Sequence, residues 1–334
     1  MASTMLDGSA RTERTARTMS VKAHPERVRR RKRKRDPSAA LMLLPAVILF
    51  LGIQLFPMLY SAGLSFYRWD GLSPQRFVGL DNFRSFLSQD TILRGLFLHS
   101  VSNNIILAVI VTVGVIALAL PLALAMNKAP RRISSSFRTT LLLPMVTTGI
   151  AVFFAWTVML GPDGPTVKLF SFLHIGFLAP SGGWFSDPSL ALVGLAMVMI
   201  WANVPYATLF YLSGLQSIDG TLYEAAEIDG ANKLQQARHL TWPLLHPITL
   251  IVVILNTVYA IQSYEMVYLI TNGGPDYATN TVGLLSYNLA FGTIGGGSAQ
   301  YGTAAAMTWT LVMGIALVFG SIRAITWVAR RADR

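Results

Sequence analysis

The residue types that most often carry chemistry are few and scattered in this chain. Cysteine is absent, which excludes disulfides and thiolate metal sites. The five histidines lie apart without the spacing of metal ligands, at His24, His99, His174, His239 and His246. The chain has no glycine-rich phosphate loop with its lysine, and Gly295 to Gly297 lack the strand-to-helix context of a nucleotide site. The sequence therefore predicts no catalytic residue, no metal site and no ATP hydrolysis in this chain.

Amide, hydroxyl and aromatic side chains are concentrated in two apolar runs. They are Trp201, Asn203, Tyr206, Asn256, Tyr259, Gln262, Ser263 and Tyr264. Polar groups inside a membrane usually face the bundle interior or a water-filled path, so these residues are candidates for contact with a solute. Packing between helices is the alternative for each residue taken alone. Glu265 is the one acidic residue in these runs, and it is either a proton or cation site or a group that reaches water near its helix end.

The elements that position these residues must lie in lipid. The chain is 53% hydrophobic and 13% charged, with a mean hydropathy of +0.49, so one water-soluble core cannot hide its apolar surface. Six apolar segments are long enough to cross a bilayer, near 40–66, 100–126, 139–160, 190–214, 247–270 and 302–328. Backbone groups in lipid must be satisfied within their own segment, so each segment is predicted to be a helix. The predicted fold is an all-α polytopic membrane protein with six transmembrane helices.

The positive charge of the chain lies mainly in its amino-terminal tail. The net charge is +11, and residues 1–38 contain 12 basic and four acidic residues. The run from Arg27 to Arg35 resembles a nucleic-acid arm by itself, but it ends just before the first span, where it retains the tail in the cytoplasm and contacts anionic lipid. Residues 1–26 are predicted to be disordered. The first apolar run is longer than that of a signal peptide, so we expect it to remain as the first helix.

The distribution of lysine and arginine orients the six spans. With both termini in the cytoplasm, 22 basic residues lie inside and five lie outside. The predicted organisation is a tail at 1–38, a permease domain at 39–329 that contains a cytoplasmic loop at 215–246, and a second tail at 330–334. Four of the five outer basic residues lie in the first outer loop, which is the weakest point of this orientation.

The polar segment from Asp219 to Pro247 has the pattern of a docking surface for a soluble partner. Thr221 and Glu224 have the spacing of a capping box, which predicts a helix start near Thr221. Tyr223 is a candidate anchor among small and apolar neighbours. Gly230 is predicted to take a positive φ and to lead into a second helix that ends near Trp242, before Pro243. The alternative is an amphipathic linker that lies on the membrane.

This segment resembles the E-A-A, D-G-A and proline signature of membrane subunits of bacterial ATP-binding-cassette importers. The matching residues are Glu224, Ala225, Ala226, Asp229, Gly230, Ala231, Pro243 and Pro247, with Trp242 and Ala237 as departures. The resemblance implies a type I permease in the bacterial plasma membrane whose short cytoplasmic helix couples to a separate ATPase. It also implies a heterodimer with a second permease subunit, two ATPase copies that hold the ATP and Mg²⁺, and an extracytoplasmic solute-binding protein.

A second resemblance is to carbohydrate importers, specifically to the first of their two permease subunits in the maltose and glycerol-phosphate class. It rests on T-N-G-G-P at Thr271 to Pro275, on W-D-G at Trp69, on F-V-G-L-D-N-F at Phe77 to Phe83, and on Tyr287, Ala290, Phe291, Tyr301, Gly302 and Ala304 to Ala306. The likeness covers roughly residues 40–328 and implies that the spans flanking the coupling loop line a sugar pathway. Amides and hydroxyls pair with sugar hydroxyls, and aromatic faces cover sugar C–H surfaces.

Three other functions are compatible with a polytopic sequence. An ion-gradient-driven secondary transporter would have matched broken helices and buried charges, of which only Glu265 is present. A membrane signalling or scaffold protein would need neither a polar path nor an ATPase. A permease of the same family for a solute other than a sugar is the third alternative.

Overall fold

A computed structural model of the protein describes residues 37–147, 149–292 and 297–332. The predicted disordered tail, the basic run and residues Gly295 and Gly296 of the glycine loop lie outside the described residues. The predicted α-helical architecture is confirmed, with one small antiparallel ribbon added to it. The contacts divide the chain into a unit that ends at Gln54 and a unit that begins at Leu55, and the packing below belongs to the second unit.

The helices alternate between long apolar elements and short connecting ones. Their bounds are α1 Pro37–Leu49, α2 Phe56–Leu64, α3 Asp81–Arg84, α4 Thr91–Lys128, α5 Arg131–Val146, α6 Gly149–Met159, α7 Pro165–Phe172, α8 Pro188–Ser217, α9 Gly220–Ile228, α10 Lys233–Gln236, α11 Trp242–Ile261, α12 Tyr264–Ile270, α13 Val282–Ala290 and α14 Tyr301–Ala332. Wider π-helical turns lie at Phe50–Leu55, Ser85–Gln89 and Ala237–Thr241, and 3₁₀ turns lie at Gly176–Leu178 and Trp184–Ser186. The ribbon pairs β1 Tyr67–Arg68 with β2 Arg76–Phe77.

Four helical stretches in the described residues are long and apolar enough to cross a membrane. They are Leu41–Leu64, Thr91–Lys128, Pro188–Ser217 and Lys233–Ile261, and Gly149–Met159 and Tyr301–Leu317 are shorter apolar helices. The predicted third span is divided between α5 and α6. The predicted fifth span is interrupted after Ile261, where the Ser263 hydroxyl donates to the Ala260 carbonyl at 2.7 Å and competes for backbone acceptors. The count of six spans therefore stays a prediction.

The core of the second unit is built by α4, α8 and α11. The 38-residue α4 starts at Asp90, whose carboxylate accepts from the backbone amides of Ile92 and Leu93, both at 2.9 Å. These bonds satisfy two of the amides that every helix start leaves unpaired. A fully buried stripe of α4, including Leu107 and Val111, then packs on α8 and α11. Apolar packing on α4 thus fixes α8 and α11, the two helices that carry five of the eight predicted solute-binding residues.

Buried amides tie α4 to the loop between α12 and α13. The Asn103 side chain donates to the carbonyls of Ala278 and Asn280 at 3.0 and 2.9 Å, and the Asn104 side chain accepts from the Val282 amide at 2.9 Å. The T-N-G-G-P sequence leads into this loop. A plain turn in the sequence is thus held by side chains more than 170 residues away, which no local pattern indicates.

The ribbon contacts the start of α14. The Tyr301 amide donates to the Trp69 carbonyl at 3.0 Å, and the Asn82 side chain donates to the carbonyls of Ser65 and Tyr67 at 2.8 and 2.9 Å. A Cβ atom at Gly302 would collide with the Tyr67 carbonyl oxygen. Glycine at 302 therefore permits the close approach of this helix to the ribbon.

Candidate functional site

A cavity of about 350 Å³ opens between α8 and α11, with a few polar side chains in a largely apolar wall. It contains four of the eight predicted solute-binding residues, Asn203 and Tyr206 from α8 and Asn256 and Tyr259 from α11. The remaining lining is Ala207, Phe210, Val252 and Leu255. The structure thus brings two amides and two phenols from distant parts of the sequence to one cavity with an apolar wall.

Pro205 shapes the α8 side of this cavity. A proline has no backbone amide, so the carbonyl of Trp201 loses its usual helical donor. One turn away, the Asn203 side chain donates to the Met199 carbonyl at 2.8 Å. Tyr206 follows the proline and exposes its ring in the cavity.

Asn256 is the most distinctive residue of the α11 side. Its side chain is only 4% exposed, and its amide nitrogen donates to the Val252 carbonyl at 2.9 Å. Its carbonyl oxygen is buried and has no hydrogen-bond partner among the described residues. A buried amide that leaves one oxygen unpaired is costly, so it indicates a position that accepts a hydrogen bond from something absent here.

The other four predicted solute-binding residues do not line this cavity. Trp201 packs edge-on against Trp156 with ring centroids 5.8 Å apart, and Ser263 is buried at the break after α11. Gln262 caps the end of α11 through its backbone. Tyr264 stacks on Tyr287 at 5.9 Å. A prediction from span position alone does not distinguish the helix faces, which explains the separation.

Tyr264 belongs to a chain of aromatic rings that sequence reasoning did not assemble. Tyr287 lies 4.7 Å from Phe291, which lies 6.2 Å from Tyr301, and Tyr301 lies 5.3 Å from Trp69. In the sequence, Trp69, Tyr287, Phe291 and Tyr301 carry only the family resemblance, and Tyr264 is a predicted solute-binding residue. The five rings lie in or next to α12, α13, α14 and the ribbon, so only the tertiary fold places them in one row.

The second candidate site is the polar segment after α8. Its first helix, α9, starts at Gly220 with Asp219 as the N-cap, and the Asp219 carboxylate accepts from the Thr221 amide at 3.0 Å. The predicted capping box of Thr221 with Glu224 is therefore wrong by two residues. Asp219 reaches the free amides first, because aspartate caps a helix start at least as well as threonine. The hydrogen bonds from the Thr221 backbone and side chain hold the pKa of the Asp219 carboxyl below its usual value.

The end of α9 confirms the predicted role of Gly230. This residue has φ +79°, and its amide donates to the Glu227 carbonyl at 3.0 Å. The Ala231 amide donates to the Ala226 carbonyl at 2.9 Å, which completes a Schellman motif. The D-G-A sequence is thus the turn that ends α9, and a capping box of Asn232 with Gln235 starts the next helix.

The predicted end of the second helix near Trp242 is wrong. The helix continues from Lys233 through Pro243 to Ile261. A π-helical turn at Ala237–Thr241 precedes the proline, and the Trp242 amide donates to the Ala237 carbonyl five residues earlier. A wider turn makes room where the proline ring would otherwise clash with the preceding turn, so the helix bends around Pro243 instead of stopping.

Tyr223 is turned toward the chain itself. Its hydroxyl and that of Thr241 are 3.0 Å apart and hydrogen-bonded, and the ring is half-buried. Tyr223, the expected anchor for a partner, therefore connects α9 to the π-helical turn by a hydrogen bond. The large apolar side chains exposed in this segment are Leu222, Ile228, Leu234, Trp242 and Leu244, with Ile228 at 87%. Glu224, Ala225, Asp229 and Gly230 are exposed and Ala226 and Ala231 are half-buried, as a docking surface requires.

Charged side chains belong to the α9 segment and do not line the cavity between α8 and α11. The described residues contain no group of three or more His, Asp or Glu that could hold a metal. None of the buried polar side chains in the described part of the chain is charged. Glu265 lies in the first turn of α12 with its side chain exposed in this chain.

The two sites define a class of protein, a helical membrane protein with a cavity between two long helices and a largely exposed short helix. Residues 115–334 match the model of the binding-protein-dependent transport system inner membrane component family. The chain belongs to this family, and it is a membrane protein. The resemblance drawn from the E-A-A segment is thereby confirmed.

Relatives with known names support the same family. The lactose transport system permease protein LacF of Rhizobium radiobacter is 32% identical over 289 residues, covering 86% of this chain and 93% of the relative. The trehalose/maltose transport system permease protein MalF of Thermococcus litoralis is 30% identical over 281 residues, covering 84% and 91%. A solved bacterial alginate transporter, in complex with an alginate pentasaccharide-bound periplasmic protein, has a similar fold, with a TM-score of 0.69 at 21% identity over 85% of this chain and 92% of that chain.

Proposed function

We propose that this chain is one permease subunit of an ATP-driven, binding-protein-dependent importer of a sugar or oligosaccharide, and that it forms half of the translocation pathway. The observation that carries the proposal is the course of α8. The helix lines the polar cavity with Asn203 and Tyr206 and runs without a break to Ser217, two residues before the cap of α9. A movement of α9 is therefore transmitted by one rigid helix to the cavity wall.

The chemistry of the cavity favours a sugar over an ion. Asn203 and Asn256 offer amide groups to hydroxyls, and Tyr206 and Tyr259 offer both hydroxyls and ring faces. The unpaired oxygen of Asn256 fits a hydroxyl donor from a sugar. The relatives named for lactose and for trehalose and maltose support the same substrate class. A secondary transporter driven by ions is less well supported, because the buried polar residues of the described chain are all neutral.

We further propose that the substrate reaches this cavity along the row of aromatic rings formed by Trp69, Tyr301, Phe291, Tyr287 and Tyr264. Ring faces bind sugar C–H surfaces without specifying one hydroxyl pattern, so a row of them suits a sugar that changes position as it moves. The row starts at Trp69 beside the ribbon and ends at Tyr264, at the start of α12. A solute-binding protein would deliver the sugar at the Trp69 end, which is consistent with the periplasmic protein bound to the alginate transporter of similar fold.

The partners follow from what the chain leaves exposed. The exposed surface of α9 suits the groove of a soluble ATPase, of which the complex would hold two copies, with ATP and Mg²⁺ bound there. A second permease subunit would supply the other half of the pathway in a heterodimer. ATP binding would favour the outward-facing form through contacts at α9, and hydrolysis would release it.

The test uses the transporter purified with its associated proteins and reconstituted in liposomes. Uptake from a panel of radiolabelled mono- and oligosaccharides and of amino acids identifies the substrate class. We expect Glu224→Lys and Gly230→Asp each to abolish ATP-dependent uptake, with loss of the ATPase from the complex. Asp163→Lys reverses an exposed acidic charge outside the segment, so this variant should keep ATP-dependent uptake and should keep the ATPase in the complex.

Two results would refute the proposal. Uptake that persists without an ATPase would exclude ATP-driven import. Normal uptake and normal assembly in either variant of the segment would exclude α9 as the coupling helix.

A further inference from the structure

A second polar cavity, of about 460 Å³, lies beside the loop that joins α4 to α5. Its lining is Met126, Asn127, Ala129, Ser134, Ser135, Arg138 and Gln216. Asn127 precedes the last residue of α4 and Gln216 precedes the last residue of α8, so the cavity lies at the end of the bundle that carries α9. None of the described residues that line it is acidic.

One lining residue has a buried polar atom without a partner. The Nε atom of Arg138 is buried and has no hydrogen-bond partner among the described residues, although the side chain as a whole is only half-buried. Ser134, which is 9% exposed, lies beside it in the cavity wall. Buried polar atoms are almost always hydrogen-bonded, so the unpaired Nε atom indicates a missing partner. A guanidinium can only donate, so that partner must accept hydrogen bonds.

The backbone adds positive potential to the same place. The 16-residue α5 begins at Arg131 after Pro130, without a side-chain cap and without an acidic residue in its first turn. The Ser134 amide makes the first helical bond, to the Pro130 carbonyl at 3.0 Å, so the amides before it have no acceptor within the helix. The helix dipole places partial positive charge here, and the flanking sequence adds Lys128, Arg131 and Arg132.

We propose that this cavity binds a phosphate group, carried either by a lipid headgroup or by a soluble phosphate ester. A phosphate has enough acceptor oxygens to pair with the Arg138 guanidinium and the Ser134 and Ser135 hydroxyls together. The amides of Asn127 and Gln216 can donate to the remaining oxygens. The Arg138 side chain lines neither the sugar cavity nor the surface of α9.

The site has a consequence for coupling. Gln216 lies three residues before the Asp219 cap of α9, whereas Ser134 and Arg138 belong to α5. A phosphate that contacts both sides would fix α5 to the base of α9. This consequence rests on the proposed function, but phosphate binding itself does not.

The binding test uses the purified transporter in a maltoside detergent. Phosphatidylglycerol is compared with diacylglycerol, which lacks the phosphate, and inorganic phosphate is compared with chloride at equal ionic strength. Thermal unfolding and native mass spectrometry report binding. We expect a phosphate carrier to raise the unfolding temperature, and Arg138→Gln to weaken its binding about tenfold, the usual effect of losing one charge-assisted hydrogen bond.

Arg132→Gln is the matched control, because it removes the same charge from an exposed position of α5 outside the cavity. It should weaken binding by about twofold or less, as surface charges do. Ser134→Ala is a smaller change that serves if Arg138→Gln does not fold, and it should also weaken binding. Each variant is first compared with the unaltered protein by thermal unfolding without phosphate.

The outcomes separate the two phosphate sources and the two proposals. Stabilisation by phosphatidylglycerol alone identifies a lipid headgroup, and stabilisation by inorganic phosphate identifies a soluble ester. The inference is overturned if neither stabilises the protein, or if Arg132→Gln weakens binding as much as Arg138→Gln. Phosphate binding by a complex that transports nothing would sustain this inference while refuting the proposed function.

Discussion

Two buried asparagines show how differently the same residue type is used. Asn103 is 3% exposed and holds two carbonyls of the loop before α13, so its amide nitrogen is fully engaged in the fold. Asn256 is equally buried, but its only bond is to the carbonyl one turn earlier in its own helix, and its oxygen is unpaired among the described residues. Asn103 therefore stabilises the structure, whereas Asn256 keeps an unpaired oxygen beside the cavity, which is why we propose it as a solute-binding residue.

Replacing each asparagine by leucine should separate these roles. Asn256→Leu removes an unpaired oxygen and keeps the volume, so we expect the unfolding temperature of the complex to stay the same or to rise. Uptake of the transported sugar should fall at least about tenfold, because a sugar hydroxyl loses its acceptor. Asn103→Leu leaves two carbonyls without donors and should cost about 1–3 kcal/mol for each. Thermal unfolding and uptake measure both effects, and a destabilised Asn256→Leu with normal uptake would contradict the assignment.

At the residue scale, side-chain chemistry in the sequence selects residues that the fold brings partly together. Amides and phenols in apolar helices are unusual, and four of the eight residues selected on that basis line one cavity. The choice among them depends on which helix face is buried, and Trp201 and Tyr264 instead pack on rings from other elements. The cavity beside the start of α5 has no signal in the sequence, because serines and an arginine near a helix start are ordinary until the fold leaves the arginine Nε atom buried and unpaired.

Among the elements, α9 depends on its two ends more than on its own length. Nine residues are too few for a stable isolated helix in water, so the Asp219 cap and the Gly230 turn must hold it. The hydrogen bond between Tyr223 and Thr241 adds a tertiary contact. The sequence predicted the positive φ of Gly230 correctly, since a positive φ has a residue signature, and it placed the start of α9 within one residue, but it chose a cap two residues late because several residues nearby are able to cap.

Acidification should weaken the start of α9. The pKa of the Asp219 carboxyl is lowered in the folded protein by the hydrogen bonds of Thr221, so the carboxylate stabilises the helix at pH above the usual value of an aspartate. That stabilisation is lost as the pH falls through the lowered pKa. We expect Asp219→Ala to exchange the α9 amides several-fold faster at neutral pH, and Asp219→Asn, which also caps, to resemble the unaltered protein.

Hydrogen exchange followed by mass spectrometry, at matched pH for all three proteins, measures this effect. Under acid conditions the unaltered protein should approach Asp219→Ala, whereas Asp219→Asn should not. Equal exchange in Asp219→Ala and the unaltered protein at neutral pH would show that Asp219 does not cap α9.

The sequence predicts the class of the whole protein, but it does not predict its tertiary contacts. Hydropathy indicates helices and a membrane, and the E-A-A segment indicates the family that the comparison confirmed. Tertiary packing determines three features of the fold. They are the contact of the ribbon with α14, the break after Ile261, and the contact of Asn103 with a loop far along the chain. Local sequence patterns carry no information about such partners, so they emerge only from the structure.

The direction of transport requires that α9 and the ribbon lie on opposite sides of the membrane. The chain contains no cysteine, so a single introduced cysteine reports its own side. Ile228 and Leu72 are 87% and 96% exposed, which makes Ile228→Cys and Leu72→Cys suitable probes. A membrane-impermeant maleimide should label Leu72→Cys in intact cells and Ile228→Cys only in inverted vesicles, where bound ATPase should reduce the labelling. Labelling of Ile228→Cys from outside intact cells would place the coupling helix away from ATP and exclude import by this mechanism.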